Sequence, residues 1–62
     1  MMYRGYIVQG GRIIVGEDID SATLDDAKTA GYKMIAERQD AHEIDGIEIW
    51  QGSLLLYKSG AE

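Results

Sequence analysis

The sequence predicts an α+β domain of order ββαββ, an antiparallel sheet of two hairpins with one helix packed on one face. Three observations support this fold class. Apolar segments rich in aromatic and β-branched residues flank Gly10-Gly11, a segment of helical periodicity follows, and a second apolar pair flanks Gln51-Gly52. With 62 residues the chain has room for one thin core, so we expect a single domain over residues 1–62.

The first hairpin is predicted from strands at Tyr3–Gln9 and Arg12–Glu17. Gly10-Gly11 between them is typical of a two-residue turn, because glycine accepts positive φ at both central positions. A regular ladder from this turn places Arg4 opposite Glu17, an opposite-charge pair that favours the register. The acidic residues that follow, up to Ser21, are predicted to form a turn.

The helix is predicted from Leu24 to about Gln39. Thr23 precedes it as an N-cap hydroxyl, and Asp26 supplies a carboxylate three residues later, as in a capping box. Gly31 lies within the apolar stripe and costs about 1 kcal/mol of helix propensity. Close packing of the helix on the sheet is the expected compensation.

The second hairpin is predicted from strands at Gly46–Trp50 and Ser53–Lys58. Its turn, Gln51-Gly52, fixes the register less firmly, because glutamine is a weak choice for the first position of a two-residue turn. If that register holds, Asp45 faces Lys58. The residues before this hairpin form a polar connector, and the last residues, 59–62, are expected to fray.

Alternation along the strands divides the side chains between two faces of the sheet. The helix is expected to cover the face with Tyr6, Val8, Ile13, Val15, Ile47, Ile49, Leu54 and Leu56. The other face then holds an apolar patch that we predict to be a partner or dimer interface: Ile7, Ile14, Trp50, Leu55 and Tyr57. The alternatives are that strand twist splits this patch or that Trp50 folds over an edge.

Acidic residues fall into two groups, near the start and the end of the helix. The residues that we consider for docking onto a basic groove are Glu17, Asp18, Asp20, Asp25, Asp26, Asp40, Glu43 and Asp45. Ordinary solubilising charge is the simpler interpretation. Neither group has the spacing of a calcium loop.

The residue types that most often perform chemistry are sparse. His42 is the only histidine and lies in a polar loop, which is weak evidence for a metal site. Cysteine is absent, so disulfides and thiolate metal sites are excluded. No serine has a plausible partner histidine, and a domain this thin has little room for a pocket. We therefore predict no catalytic residues, no metal, no cofactor and no enzyme activity.

Eleven acidic residues against six basic ones give a net charge of −5, which disfavours nucleic acid and anionic membranes as partners. The longest apolar run, Leu54 to Tyr57, is far too short to span a bilayer. No apolar segment of signal-peptide type follows Met1. A cytoplasmic protein is the expectation.

The stretch Ile47-Glu-Ile-Trp-Gln-Gly-Ser-Leu-Leu-Leu-Tyr57 resembles the closing hairpin of short uncharacterised proteins common in alphaproteobacteria, and Thr23 to Ala27 fits the same pattern. This resemblance implies a hairpin-helix-hairpin fold and little about activity. In architecture alone, the layout is similar to some small anti-CRISPR proteins, which block a nuclease complex by binding it.

The leading hypothesis is a non-enzymatic, acidic protein-interaction module, in its most specific form an inhibitor from a phage or mobile element. The alternative is a small homodimer with a housekeeping role. A third hypothesis is a single-stranded nucleic-acid binder that stacks bases on sheet aromatics such as Trp50 and Tyr57. The net charge opposes the third.

Overall fold

The computed structural model describes residues 2–59. Its elements are β1 (Met2–Gln9), β2 (Arg12–Asp20), α1 (Leu24–Ala36), a 3₁₀ turn (Ala41–Glu43), β3 (Gly46–Gln51) and β4 (Leu54–Lys58). The strands form one antiparallel sheet in the order β2-β1-β3-β4, so the two hairpins join through β1 and β3. The predicted ββαββ fold class is confirmed.

The first hairpin contains a β-bulge that the regular ladder did not anticipate. Val8 pairs with Ile13 as predicted, but Ile7 pairs with Val15, which leaves Ile14 as the extra residue on β2. Arg4 therefore lies opposite Asp18 instead of Glu17, and the predicted register is wrong by one residue beyond the bulge. One inserted residue is what a bulge adds to a strand.

The acidic segment after the hairpin is strand and not turn, because β2 continues to Asp20. Ile19 pairs with Tyr3, and both side chains are buried. The apolar residue within this acidic run holds the end of β2 in the sheet, while its acidic neighbours Asp18 and Asp20 remain exposed.

The helix begins as predicted. Thr23 is the N-cap, with extended backbone, and its hydroxyl accepts a hydrogen bond from the Asp26 amide at 3.2 Å. The helix ends at Ala36, earlier than predicted. Directly after it, the Arg38 guanidinium donates to both carboxylate oxygens of Asp40, at 2.8 and 3.2 Å, which stabilises a turn there.

The core lies between α1 and one face of the sheet. Its buried hydrophobic residues are Tyr3, Ile7, Ile19, Ala27, Ile47 and Ile49. Gly31 lies directly above β3: a Cβ at this position would be 2.9 Å from Ile47 Cδ1 and 3.4 Å from Ile49 Cδ1. The close packing expected from Gly31 is present.

The second hairpin turns one residue later than predicted. Gln51 pairs with Leu54, and Gly52 occupies the first turn position with φ of 60°. A register irregularity follows, and Lys58 lies opposite Glu48 instead of Asp45. The first turn position, for which glutamine is poorly suited, is therefore occupied by glycine.

The connector before β3 is fastened to the first hairpin. Asp45 Oδ2 accepts hydrogen bonds from the amides of Gly10, at 2.7 Å, and Gly11, at 3.4 Å. At the open end of the second hairpin, Ser59 does not fray, because its amide donates to the Ile47 carbonyl at 2.9 Å. The rest of the predicted frayed tail, 60–62, lies outside the described residues.

Candidate functional site

The helix covers one face of the sheet, and the other face is the candidate site. We call the latter the open face; the residues that we assign to it are Arg4, Tyr6, Val8, Ile13, Gly16, Asp18, Glu48, Trp50, Leu55 and Lys58. The predicted division of β1 between the faces is wrong. Ile7 pairs with the buried Ile47, so Tyr6 and Val8 point away from the helix.

The predicted interface set is therefore divided. Ile7 is only 1% exposed and lies beneath the helix, so it belongs to the core. Tyr57 pairs with Ile49 on the helix side, where its hydroxyl lies 2.7 Å from that of Tyr32. Trp50 and Leu55 are cross-strand partners on the open face, and Ile14 is exposed at the bulge. The interface role of these last three stays a prediction.

Tyr6 and Trp50 form the aromatic centre of the open face, on the two central strands. Their ring centroids are 6.5 Å apart and their planes are nearly perpendicular, at 85°. Gly16 makes room for this arrangement, since a Cβ there would be 2.9 Å from Tyr6 Cε1. The tyrosine ring thus lies across a strand position without a side chain, which is a known way to cover glycine in a sheet.

Charged side chains surround both rings. Arg4 lies over the Tyr6 ring at 5.6 Å and forms a 2.8 Å ion pair with Asp18. The hydrogen bond to Asp18 raises the pKa of Arg4 above its ordinary value. On the neighbouring strand, the Trp50 indole N–H donates to Glu48 Oε1 at 2.9 Å. Each ring is therefore in contact with one charged side chain.

The first predicted acidic group is divided between β2 and the first turn of the helix. Asp18 pairs with Arg4 on the open face, whereas Asp25 and Asp26 lie in the first turn of the helix. Asp25 is 3.7 Å from Lys28, and the amide of Asp26 binds the capping hydroxyl. Glu17 and Asp20 are exposed on β2. Helix-start carboxylates are favourably placed for the helix dipole.

The second acidic group has structural contacts within the domain. Asp40 binds Arg38, which holds the pKa of the Asp40 carboxyl below its usual range. Glu43 accepts a hydrogen bond from the Gln9 side chain at 2.9 Å, and Asp45 binds the Gly10-Gly11 turn. These contacts give the acidic residues of the connector a structural role, and their predicted docking role stays a prediction.

Within residues 2–59, no group of three or more His, Asp or Glu side chains is arranged to hold a metal ion. His42 is exposed and lies 3.5 Å from Glu43. A shallow surface depression after the helix is lined by Arg38, Gln39 and Asp40. In the described part of the chain, α1 is too short and too polar to cross a membrane.

A second aromatic contact joins α1 to β4. The hydroxyls of Tyr32 and Tyr57 are hydrogen-bonded, and Lys28 Nζ lies 4.3 Å from the centre of the Tyr57 ring. Hydrogen bonds from Ser59 and Tyr57 lower the pKa of Tyr32, and the bond to Tyr32 raises the pKa of Tyr57. This contact attaches Tyr57 to the helix side.

Sequence reasoning missed Tyr6 and Arg4 as open-face residues. A signal was present: Gly5 belongs to the alternating set of β1 that faces the core, where a Cβ would be 2.6 Å from Ile19 Cδ1. The bulge at Ile14 has no such signal in the residues themselves.

Comparisons with protein-family models, with curated proteins and with solved structures found no match. The resemblances drawn from the sequence therefore stay predictions.

Proposed function

We propose that this chain is a non-enzymatic protein-interaction domain whose contact surface is the open face of its sheet. The observation that supports this proposal is the Tyr6–Trp50 pair, which stands on the two central strands opposite the helix. Tryptophan, tyrosine and arginine are the residues that most often dominate binding energy at protein interfaces.

The surroundings of the pair suit a recognition surface. Gly16 beneath Tyr6 and the contacts of Arg4 and Glu48 hold the two rings in one arrangement. A prearranged surface loses less conformational entropy on binding than a mobile one. Half-buried aromatic rings with polar atoms at their edges also combine apolar area with hydrogen-bonding capacity.

The test is affinity capture from a lysate of the source cells with quantitative mass spectrometry. Immobilised wild type, Trp50→Ala and Tyr6→Ala are compared, with Tyr32→Ala as the control because Tyr32 is an exposed tyrosine on the helix. We expect a protein that is enriched on wild type and on Tyr32→Ala and lost on both open-face variants. Circular dichroism checks that each variant is folded. Equal enrichment on all four proteins contradicts the proposal.

Self-association is the second candidate function, and edge strand β4 favours it. Leu54 is 61% exposed and Leu55 is 40% exposed on this strand. Exposed apolar edge strands are sites for pairing with another chain. The total surface of 4089 Å² is close to the roughly 4000 Å² of a compact 6.9 kDa monomer, so the single chain is as compact as an average monomer of its mass.

Sedimentation over a range of concentrations tests this candidate. If β4 mediates association, Leu54→Lys should remain monomeric at concentrations where wild type dimerises, because charge on an edge strand opposes pairing. A wild type that remains monomeric throughout excludes the candidate.

The narrower form of the main proposal is an inhibitor carried by a phage or mobile element. Phage genes beside this gene support it, and a housekeeping gene cluster counts against it.

A further inference from the structure

The open face already binds one guanidinium group, its own. Arg4 combines two contacts: a cation–π contact with Tyr6 at 5.6 Å and an ion pair with Asp18 at 2.8 Å. These are the contacts by which an aromatic and acidic surface recognises arginine in general. The contacts of Arg4 with Tyr6 and Asp18 are thus an example, within the chain itself, of how this face can bind an arginine side chain.

The neighbouring pair, Trp50 and Glu48, repeats the combination of an aromatic ring and a carboxylate. Glu48 Oε1 accepts the indole N–H at 2.9 Å, which keeps the carboxylate at the edge of the ring. Tryptophan is the best of the aromatic side chains for cation–π contacts. Two cations of the same face lie opposite this pair: Lys58 opposite Glu48, and Arg4 opposite Trp50, where Arg4 is already paired with Asp18.

The net charge of the whole chain favours binding partners of positive charge. A net charge of −5 attracts basic partners and speeds their encounter. It repels nucleic acid, although aromatic rings on two central strands could stack bases. The net charge therefore favours a basic protein over nucleic acid, although the aromatic rings alone could bind either.

We infer that the open face recognises an arginine-bearing basic segment of another protein, with the arginine side chain held between the Trp50 ring and the Glu48 carboxylate. This inference rests on the proposed function and specifies the chemistry of the partner.

The test is titration with a short synthetic peptide of alternating arginine and glycine, followed by tryptophan fluorescence. Trp50 is the only tryptophan in the chain, so the signal reports on the proposed site. We expect a saturable change that weakens with rising salt. An equally long glutamate-glycine peptide should cause no change.

Charge variants separate the local site from the overall charge. Glu48→Gln should weaken binding by about fivefold, which is the upper end for one exposed charge pair. Glu37→Gln is the matched control: it changes the net charge equally but lies at the C-cap of the helix. It should weaken binding by less than about twofold. Lys58→Gln should strengthen binding.

The inference is overturned if the arginine peptide gives no saturable change, if Glu48→Gln and Glu37→Gln weaken binding equally, or if single-stranded oligothymidine binds more tightly than the peptide. A partner captured through Trp50 alongside any of these results removes the arginine assignment and leaves the interaction domain standing. Capture that does not depend on Trp50 removes both.

Discussion

The two faces of the sheet are built on opposite principles. The covered face brings branched aliphatic side chains against the smallest residues of the chain, Ala27 and Gly31, and excludes water. The open face places large aromatic rings among charged groups and leaves them half-exposed. Because one helix can cover only one face, the stabilising core lies on one side of the strands and the proposed recognition surface lies on the other. Mutations on each side should therefore have separable effects.

The largest effect is expected for Ile49→Ala, since this side chain is fully buried beneath the helix. Removing a buried isoleucine down to alanine costs about 3 kcal/mol, a large part of the stability of so small a domain. Denaturant unfolding followed by Trp50 fluorescence measures it. Leu55→Ala on the open face is the control and should cost less than about 1 kcal/mol. Equal losses would mean that the open face is also part of the stabilising core.

Two glycines give a second comparison, because a side chain at either position meets a neighbour at 2.9 Å. Gly31→Val forces a branched side chain into the packed Ile47 and should destabilise the domain by about 2 kcal/mol. Gly16→Val meets the half-buried side chains of Tyr6 and Arg4, which can move toward solvent, so the expected loss is below about 1 kcal/mol. Near-ultraviolet circular dichroism should nevertheless show that the Tyr6–Trp50 arrangement has changed. A reversed order of stability would refute this account of the faces.

A smaller effect is expected at the start of the helix that covers the core. Thr23→Ala removes the hydroxyl that accepts the Asp26 amide and should cost about 1 kcal/mol. Thr29→Ala is a matched control, because the Thr29 hydroxyl bonds the Asp25 carbonyl inside the helix and caps nothing. Thermal unfolding distinguishes the two variants. Neither should alter binding at the open face.

The smallest effect concerns the Tyr32–Tyr57 pair between α1 and β4. Tyr57→Phe removes one of the hydrogen bonds that lower the pKa of Tyr32, so this pKa should rise toward its ordinary value. Carbon NMR of the tyrosine rings during an alkaline titration measures the change, and Tyr6→Phe should leave the pKa of Tyr32 in place. An unchanged pKa of Tyr32 in Tyr57→Phe would show that Ser59 and Lys28 are sufficient to lower it.

The same pair predicts how wild-type stability depends on pH. The lowered pKa of Tyr32 contributes stability at high pH that is lost as the pH falls through its folded-state value. The raised pKa of Tyr57 contributes stability at lower pH that is lost as the pH rises through its own value. These contributions oppose each other, so the pair should change the free energy of unfolding little through the alkaline range.

Elements, turns and the helix cap were predictable because each depends on a few neighbouring residues. Thr23 with Asp26 and the Gly10-Gly11 turn are local signals, and both act as predicted. The faces were predictable only in part, because the bulge at Ile14 changes which residues of β2 share a side with each residue of β1. Nothing in the residues near Ile14 indicates the bulge.

The sequence predicted that an apolar face would lie opposite the helix, but it predicted only some of the residues on that face. Trp50 and Leu55 lie where alternation in β3 and β4 placed them, whereas Ile7 and Tyr57 do not. Both sets of alternating residues in β1 are apolar, so hydrophobicity alone could not decide which set faces the helix. Contact with the fully buried Ile47 and Ile49 decides it.

The strand order also has a consequence for how the chain folds. Gly5 in the first strand and Ile49 in the third lie side by side at the centre of the sheet. As the ribosome releases the chain, the first hairpin and the helix emerge before Ile47 and Ile49 exist for them to pack against. The first hairpin and the helix contribute Tyr3, Ile19 and Ala27 to a core that only Ile47 and Ile49 complete, so folding should wait for the last third of the chain and then proceed as one cooperative event. Two peptides divided at the connector should each remain unfolded and acquire structure only when mixed.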